Sequence, residues 1–267
     1  MHAAADWQRA MGQRSYSLAV MGWIMIDTVR AVSPAGQDAA TVTRLRLGVG
    51  VIAGALPFVV LFGNMLFARH AVWLGSISGS YYTQMRGVFV GSLCAIGVFL
   101  IAYRYDKWDD IWSTVGGGLA IVVALFPTPP DPVNGVVTRT QVSIGVVHFV
   151  AATSLFLVLA FFCLFLFTRS ADGTVRTPQK QTRNTIYRCA GGVIAAAIAA
   201  AALIALFAPR SVRESWNTLF WCETIAILSF AVAWLTKGGA FRWWNDPSPG
   251  PIAPSQRSQS REPTIAP

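Results

Sequence analysis

The sequence predicts an all-α fold, a polytopic transmembrane helix bundle with six spanning helices and a short N-terminal interfacial helix. Three observations support this prediction. Hydrophobic residues make up 54% of the 267 residues, whereas only 12% are charged; soluble domains usually carry about 25% charged residues. The charged residues gather in short clusters between long apolar runs. Lysine and arginine are also concentrated in alternate loops, as in multi-pass membrane proteins.

Six apolar runs approach the roughly 20 residues that a helix needs to cross a bilayer. The third run is short because the proline-rich residues 127–130 stop it. The sixth ends at Lys237, Gly238 and Gly239, and glycines in this place predict a helix C-cap. The predicted spans cover about residues 47–68, 86–103, 111–126, 142–167, 186–207 and 217–236.

The loop charges predict the orientation. With the N-terminus in the cytoplasm, the inside segments hold 16 of the 21 lysines and arginines and the outside segments hold five. A missed or additional helix would scramble this positive-inside distribution. We therefore expect a multi-pass protein of the inner (plasma) membrane with both termini in the cytoplasm. The five outside residues are Arg69, Arg86, Arg139, Arg210 and Arg213.

Residues 16–26 are apolar but too short to span, and Asp27 and Arg30 close the run. We interpret them as a helix lying on the inner leaflet. A seventh span here would weaken the charge split to 14 against 7. The expected organisation is a cytoplasmic segment with this interfacial helix (1–46), a six-helix transmembrane domain (47–238) and a disordered cytoplasmic tail (239–267), whose Pro-, Ser- and Gln-rich sequence cannot bury itself.

Small residues mark expected sites of close helix packing, since lipid gives helices no hydrophobic reason to associate. Gly50 with Gly54, and Gly87 with Gly91, form G-x-x-x-G motifs, and residues 190–202 are nearly all small. We expect the fifth helix to be central or tightly packed. Seven tryptophans near predicted helix ends fit an interfacial aromatic belt: Trp73, Trp108, Trp112, Trp216, Trp234, Trp243 and Trp244.

Polar residues inside a predicted span are costly and therefore functional candidates. His148 and Glu223 each lie six or seven residues from the outer end of their helix, which places both roughly 10 Å below the outer boundary. Asn64, Arg86 and the hydroxyl-rich residues 76–83 belong to the same side. We expect an outward-facing polar pocket lined by Asn64, Ser78, Tyr81, Tyr82, Arg86, His148 and Glu223.

Simpler interpretations stay open for each candidate. His148 could pair with Glu223, or it could be a packing histidine. Glu223 could pair with Arg86 or serve only as a structural partner, and residues 76–83 could be an ordinary polar loop. Asp109 and Asp110 suit the N-terminus of the third helix, where negative charge is stabilising, and we interpret them as structural.

The inventory of residues argues against several chemistries. A catalytic zinc needs about three protein ligands, yet only His148 among the three histidines lies in a predicted span. The four cysteines lie far apart in apolar runs, unlike disulfide or zinc frameworks. We expect no metal and no cofactor. The net charge of +9 is attributed to cytoplasmic loops facing anionic lipid, not to nucleic-acid binding.

Several spaced motifs resemble an uncharacterised family of bacterial polytopic membrane proteins over about residues 40–240. The resemblance implies the fold and no established activity. A remote similarity to the alkaline ceramidase superfamily rests on an early serine and an intramembrane histidine, but those hydrolases use seven helices and three histidines. The motifs are Ser76-Ile-Ser78, Tyr81-Tyr82-Thr83, Phe89-Val90-Gly91, Ala124-Leu125-Phe126-Pro127-Thr128, His148-Phe149, Ile186-Tyr187-Arg188 and Trp234-Leu235-Thr236-Lys237-Gly238.

Three functions are compatible with the sequence. The first is a non-enzymatic membrane protein that binds a small ligand or lipid in the outward polar pocket. The second is a membrane-embedded enzyme, such as a lipid hydrolase, with His148 and Glu223 as acid and base. The third is a small transporter. Transporters usually show internal repeats and polar groups at the membrane midplane, and the sequence shows no repeat and places its charged groups away from the midplane. The oligomeric state is open.

Overall fold

Apolar segments of helical length dominate the fold. The structure, a computed structural model, describes residues 35–67, 74–103, 107–130, 137–169 and 177–244, and these residues contain helices and no strand. Two 3₁₀ turns, Ser78–Tyr82 and Arg242–Trp244, and one π-helical turn, Phe162–Leu166, complete the elements. The helices are α1 (Ala35–Phe67), α2 (Arg86–Ala102), α3 (Lys107–Leu125), α4 (Arg139–Phe161), α5 (Pro178–Phe207), α6 (Arg210–Ser215) and α7 (Thr218–Lys237).

Four helical stretches are long and apolar enough to cross a membrane, which indicates a membrane protein. Two further helices fall short on length or composition. Helix α2 has 17 residues, and α3 carries Asp109 and Asp110 in its first turn, where we predicted them. The four long stretches are Ala40–Phe67, Arg139–Leu166, Pro178–Phe207 and Thr218–Lys237.

Local capping sets several helix ends. Thr138 and Gln141 form a capping box at the start of α4. Thr177 caps α5, which therefore begins eight residues before its apolar run. Helix α7 ends in a Schellman motif, because Gly239 has a φ of 74° and the Ala240 N–H donates to the Leu235 carbonyl at 3.0 Å. The predicted C-cap is confirmed.

The described residues from Leu45 to Trp244 form one compact unit. Consecutive helices α2 to α5 pack in order, and α5 also packs along α7. Helices α2 and α3 meet backbone to backbone, since a Cβ added to Gly97 would lie 2.8 Å from the Gly117 carbonyl oxygen. Gly50 of α1 packs on Leu235, and Gly54 on Ala231, so the first G-x-x-x-G motif is a helix contact with α7.

One packing expectation needs correction. Around Gly87 and Gly91, no atom of the described residues lies within 4 Å of an added Cβ, so this second motif makes no such contact. Helix α5, expected to be central or tightly packed, packs tightly on one side against α7 and α4, whereas only 17% of its most apolar window is buried, against 39–44% in the other three long stretches. The small residues of α5 serve one face, where Gly191 approaches the Ala160 carbonyl. The short helix α6 had no predicted counterpart.

Trp234 was predicted to lie in the interfacial belt, and this was wrong. Its side chain is 1% exposed. Four aromatic rings surround it with centroids 5.1–5.7 Å away, those of Tyr103, Phe162, Phe167 and Phe230. Exposed Trp108, Trp216 and Trp243 fit the belt. Trp73, the interfacial helix at 16–26 and most of the predicted tail (245–267) lie outside the described residues.

Candidate functional site

The candidate site is at the end of the bundle where α1 ends and α2, α4 and α7 begin; we call this the cap end. Gly75, in the described stretch before α2, lies at the start of α7 there, because the Phe220 N–H donates to the Gly75 carbonyl at 3.1 Å. Leu74 and Ile77 are buried and anchor this stretch in the core. A polar turn is thereby fixed against a membrane helix.

Glu223 holds the turn Ser78–Tyr82 in place. Its carboxylate Oε2 accepts a hydrogen bond from the Ile77 backbone N–H, and Oε1 accepts one from the Ser78 hydroxyl at 3.1 Å. Hydrogen bonds to a charged acceptor are roughly twice as strong as neutral ones. Ser78 and Glu223, predicted to share a pocket, are therefore in direct contact.

The turn is also bonded to itself. Ser80, which is fully buried, donates to the Ile77 carbonyl at 2.6 Å, and Thr83 donates to the Ser80 carbonyl at 2.9 Å. The Ser76 hydroxyl accepts from the Gly79 N–H at 2.9 Å. Local hydroxyl bonds of this kind replace a regular ladder, so these three hydroxyls build the turn.

Arg86 and Tyr82 are exposed on the turn, and Tyr81 is half-buried beside them. Arg86 donates from Nε to the Tyr81 carbonyl at 2.7 Å, and its guanidinium lies 4.5 Å from the centroid of the Tyr81 ring. Tyr82 is 46% exposed and donates to the Thr128 carbonyl. Partial burial and Tyr81 raise the pKa of Tyr82 and Arg86 lowers it, with a net rise. Its hydroxyl therefore stays protonated at neutral pH.

His148 is hydrogen-bonded to the Phe126 carbonyl and not to Glu223, the partner considered from the sequence. It is 2% exposed, and its ring Nδ1 lies 2.6 Å from the Phe126 carbonyl oxygen. A carbonyl only accepts, so Nδ1 carries the proton. Within the described ranges, no hydrogen bond or ion pair joins His148 to Glu223, or Glu223 to Arg86.

The segment after α3 links the two halves of the cap end. Its Phe126 carbonyl binds His148, and its Thr128 carbonyl binds Tyr82. The next residue, Pro129, packs so closely on Gly145 of α4 that an added Cβ would lie 3.0 Å from the Pro129 nitrogen. The candidate residues are thus connected largely through backbone groups.

Asn64 is buried in α1 near the same end, next to Gly63, which packs against Met85. All seven predicted residues therefore belong to helices or turns of the cap end, and five of them contact another of the seven: Ser78 contacts Glu223, and Tyr81 contacts Arg86 and Tyr82. Sequence reasoning missed the backbone contributions of Ile77, Phe126 and Thr128. No side-chain signal marks a backbone donor or acceptor, so only the hydroxyl-rich composition of the turn pointed to this place.

In the part of the chain that is described, no group of three or more His, Cys, Asp or Glu residues could hold a metal ion. Cys163 is buried and Cys94 and Cys222 are partly buried, and none of them is in a disulfide. Comparison of the chain with protein-family models, with curated proteins and with solved structures finds no match.

Proposed function

We propose that the chain crosses the inner membrane six times, with both termini in the cytoplasm and the cap end facing outward. The distribution of lysine and arginine supports this topology. The close approach of α2 and α3 at Gly97 and Gly117 supports the two shorter helices as members of the same bundle. The 17 residues of α2 extend about 26 Å, close to the roughly 30 Å of the hydrocarbon core.

We propose that the protein is a non-catalytic ligand-binding membrane protein whose cap end receives a small ligand or a lipid headgroup. The observation that carries this proposal is the hydrogen bonding of Glu223 and His148. The Glu223 carboxylate is engaged by donors of the turn, and His148 is engaged by Phe126. The two groups that an acid and base mechanism would need are therefore committed to different structural partners.

The exposed side of the turn supplies binding groups. Arg86 is exposed, with one nitrogen bound to Tyr81 and the guanidinium face on the ring of the same residue. Such a pre-positioned guanidinium suits carboxylate or phosphate oxygens. Tyr82 adds an aromatic surface at the same place. A ligand with an anionic group, free or carried by a lipid, matches these residues best.

The test compares Arg86→Gln with Arg139→Gln. Both arginines are exposed and begin a helix at the cap end, so the two variants carry the same charge change. Each variant and the wild type are purified in the same detergent, and co-purifying small molecules and lipids are identified by mass spectrometry. We expect one anionic species to be depleted about tenfold in Arg86→Gln and retained in Arg139→Gln.

Identical profiles for the wild type and both variants would contradict binding at the cap end. The enzymatic alternative is tested by the lipid profile of cells that lack the protein. If one lipid accumulates in these cells, and accumulates equally in cells with Glu223→Ala or His148→Ala, the result would support an enzyme.

A further inference from the structure

Helix α2 has one exposed face. Gly87, Gly91 and Val98 are exposed, and successive residues of an α-helix are rotated by about 100°, so these three lie within about 40° of one another. We call them the α2 face. The opposite side of the helix is buried in the core through Phe89, Leu93, Ile96 and Leu100.

The neighbouring helices contact α2 on its other sides. Gly97 approaches α3, since a Cβ added to it would lie 2.8 Å from the Gly117 carbonyl oxygen. Phe99 approaches α1, since its ring would lie 2.9 Å from a Cβ added to Gly48. By the same helical rotation, Gly97 and Phe99 are turned about 80° and about 120° away from Gly87, in opposite directions. The α2 face therefore lies between these contacts and faces lipid in the proposed six-span bundle.

Arg86 stands at the cap end of the α2 face. Its Nε donates to the Tyr81 carbonyl at 2.7 Å, and its guanidinium lies 4.5 Å from the centroid of the Tyr81 ring. Among the described residues, its two Nη nitrogens have no hydrogen-bond partner. The exposed guanidinium is thus held in place, while its terminal N–H groups remain available to two oxygens of an anionic group.

The α2 face is recessed at its two glycines. A Cβ added to Gly87 or Gly91 would meet no atom of the other described elements within 4 Å. Helical rotation places Val88, which is 37% exposed, and the partly buried Val90 on either side of Gly91. The result is a shallow hollow that begins next to Arg86 and extends about 7.5 Å along the helix. Without side chains in the way, methylene groups can pack directly against backbone atoms there.

We propose that the cap end binds an anionic phospholipid, with its phosphate at Arg86 and one acyl chain on the α2 face. This inference rests on the function proposed for the cap end and names the class of its ligand. Charge complementarity selects the headgroup, because a guanidinium with available N–H groups suits a phosphate. The apolar face continues directly from that cation, which matches a molecule whose anionic head is joined to hydrocarbon chains.

The position of Arg86 fits headgroup depth. It is the first residue of α2, and long basic side chains near the ends of membrane helices extend to the interface. Tyr82, which is 46% exposed, is an aromatic residue of the kind enriched at the membrane–water interface. A soluble anion would use Arg86 without the α2 face, and a zwitterionic lipid would use the face with less attraction to the cation. An anionic phospholipid gains from both.

The experiment is native mass spectrometry of the purified full chain in detergent, titrated with phosphatidylglycerol. The test variant is Gly91→Leu, whose side chain would fill the hollow. The matched control is Gly192→Leu on α5, because Gly192 is also exposed and a Cβ added there also meets nothing within 4 Å. We expect Gly91→Leu to bind phosphatidylglycerol about fivefold more weakly than the wild type, since packing contacts are lost, and the control to match the wild type.

Further arms separate the headgroup from the acyl chain and guard against misfolding. Arg86→Gln should weaken the binding of phosphatidylglycerol about tenfold, and phosphatidylcholine should bind the wild type more weakly than phosphatidylglycerol. Glycerophosphoglycerol, the deacylated headgroup, should leave bound phosphatidylglycerol in place at millimolar concentration. Gly91→Ala adds a single methyl group and should show a smaller loss in the same direction as Gly91→Leu.

Unchanged phosphatidylglycerol affinity in Gly91→Leu, or equal losses in Gly91→Leu and Gly192→Leu, would overturn the placement of the acyl chain. If Arg86→Gln still weakened binding, the function proposed for the cap end would stand. Displacement by glycerophosphoglycerol would overturn the lipid as the ligand, and equal affinity for phosphatidylcholine would overturn its anionic class. Unchanged affinity in Arg86→Gln would overturn both this inference and the proposed function.

Discussion

At the residue scale, Glu223 accepts hydrogen bonds from two donors at one turn, the Ile77 backbone N–H and the Ser78 hydroxyl. A glutamate inside a predicted membrane helix is costly, and these donors compensate for that cost. The same bonds fix the position from which Tyr81, Tyr82 and Arg86 face outward from the turn. Glu223 therefore supports ligand binding indirectly, by holding the turn whose residues would contact the ligand.

Replacing Glu223 by Gln should destabilise the protein by about 1–3 kcal/mol, because the amide NH₂ group would oppose the donors of the turn. Ser78→Ala should cost about 1 kcal/mol. Since the two residues share a hydrogen bond, the double variant should lose less than the sum of the single losses. Unfolding in detergent, followed by intrinsic fluorescence, measures all three variants.

The control for this cycle is Ser229→Ala. Ser229 is half-buried, and its hydroxyl donates to the Ile225 carbonyl of its own helix. Ser229→Ala should therefore change the stability little, and its effect should add to that of Glu223→Gln. Strict additivity of Ser78→Ala and Glu223→Gln would argue against the direct contact.

Trp234 and Trp243 offer a matched pair of tryptophans. Trp234→Ala should cost about 3–5 kcal/mol, since it removes a large side chain from between four aromatic rings. Trp243→Ala should stay within about 0.5 kcal/mol, because that side chain is 74% exposed. Thermal unfolding of the detergent-purified variants distinguishes the two, and similar losses would contradict the burial of Trp234.

The predictability of single residues differs for a physical reason. Span boundaries and the cost of buried charge identified Glu223, His148 and Arg86 as candidates from the sequence. The bonding partners could not be predicted, because Phe126 and Ile77 contribute backbone atoms that any residue possesses. Trp234 was misplaced since a position near a helix end does not tell which side of the helix faces the core.

At the element scale, apolar length predicted six of the seven helices with most ends within a few residues. Helix α1 begins at Ala35 and α5 at Pro178, well before their apolar runs. Polar first turns extend a helix beyond its apolar run, and the cap at Thr177 marks the true beginning of α5. Helix α6 (Arg210–Ser215) has six residues, too few for a periodic signal.

Helix pairing was harder to predict than helix position. Gly50 and Gly54 do pack on α7, whereas Gly87 and Gly91 contact no other described element. Gly97 and Gly117, on different helices, form the closest backbone approach between α2 and α3. A glycine motif within one helix does not identify the helix that packs on it. Two glycines on separate helices form no motif at all, so their contact could not be predicted.

Gly97→Leu should therefore disrupt the pairing of α2 with α3, with a loss of about 1–3 kcal/mol or more, as overpacking typically costs. Gly91→Leu places the same side chain on the same helix where an added Cβ meets nothing within 4 Å, and it should be tolerated. Apparent melting temperatures from fluorescence-detected size-exclusion chromatography compare the two. Equal melting temperatures would contradict the α2 and α3 contact.

At the scale of the whole molecule, the two ends of the bundle differ in chemistry. The cap end presents a hydroxyl-rich turn held by Glu223, and the opposite end, where α5 begins and α7 ends, holds half-buried Arg46, Lys180, Arg183 and Lys237. Counting lysines and arginines predicted this asymmetry, because their loop distribution follows the side of the membrane. It could not predict that four of these cations converge between helices.

The topology of the bundle is tested most directly by cysteine labelling in intact cells. Single cysteines would replace exposed Thr140 and Ser211 near the cap end, and exposed Gln181 and Ala240 near the opposite end, with the native cysteines changed to alanine. A membrane-impermeant maleimide should label positions 140 and 211 in intact cells, and positions 181 and 240 only after permeabilisation. Labelling of 181 or 240 in intact cells, or protection of 140 and 211, would contradict a bundle with six spans, cytoplasmic termini and an outward cap end.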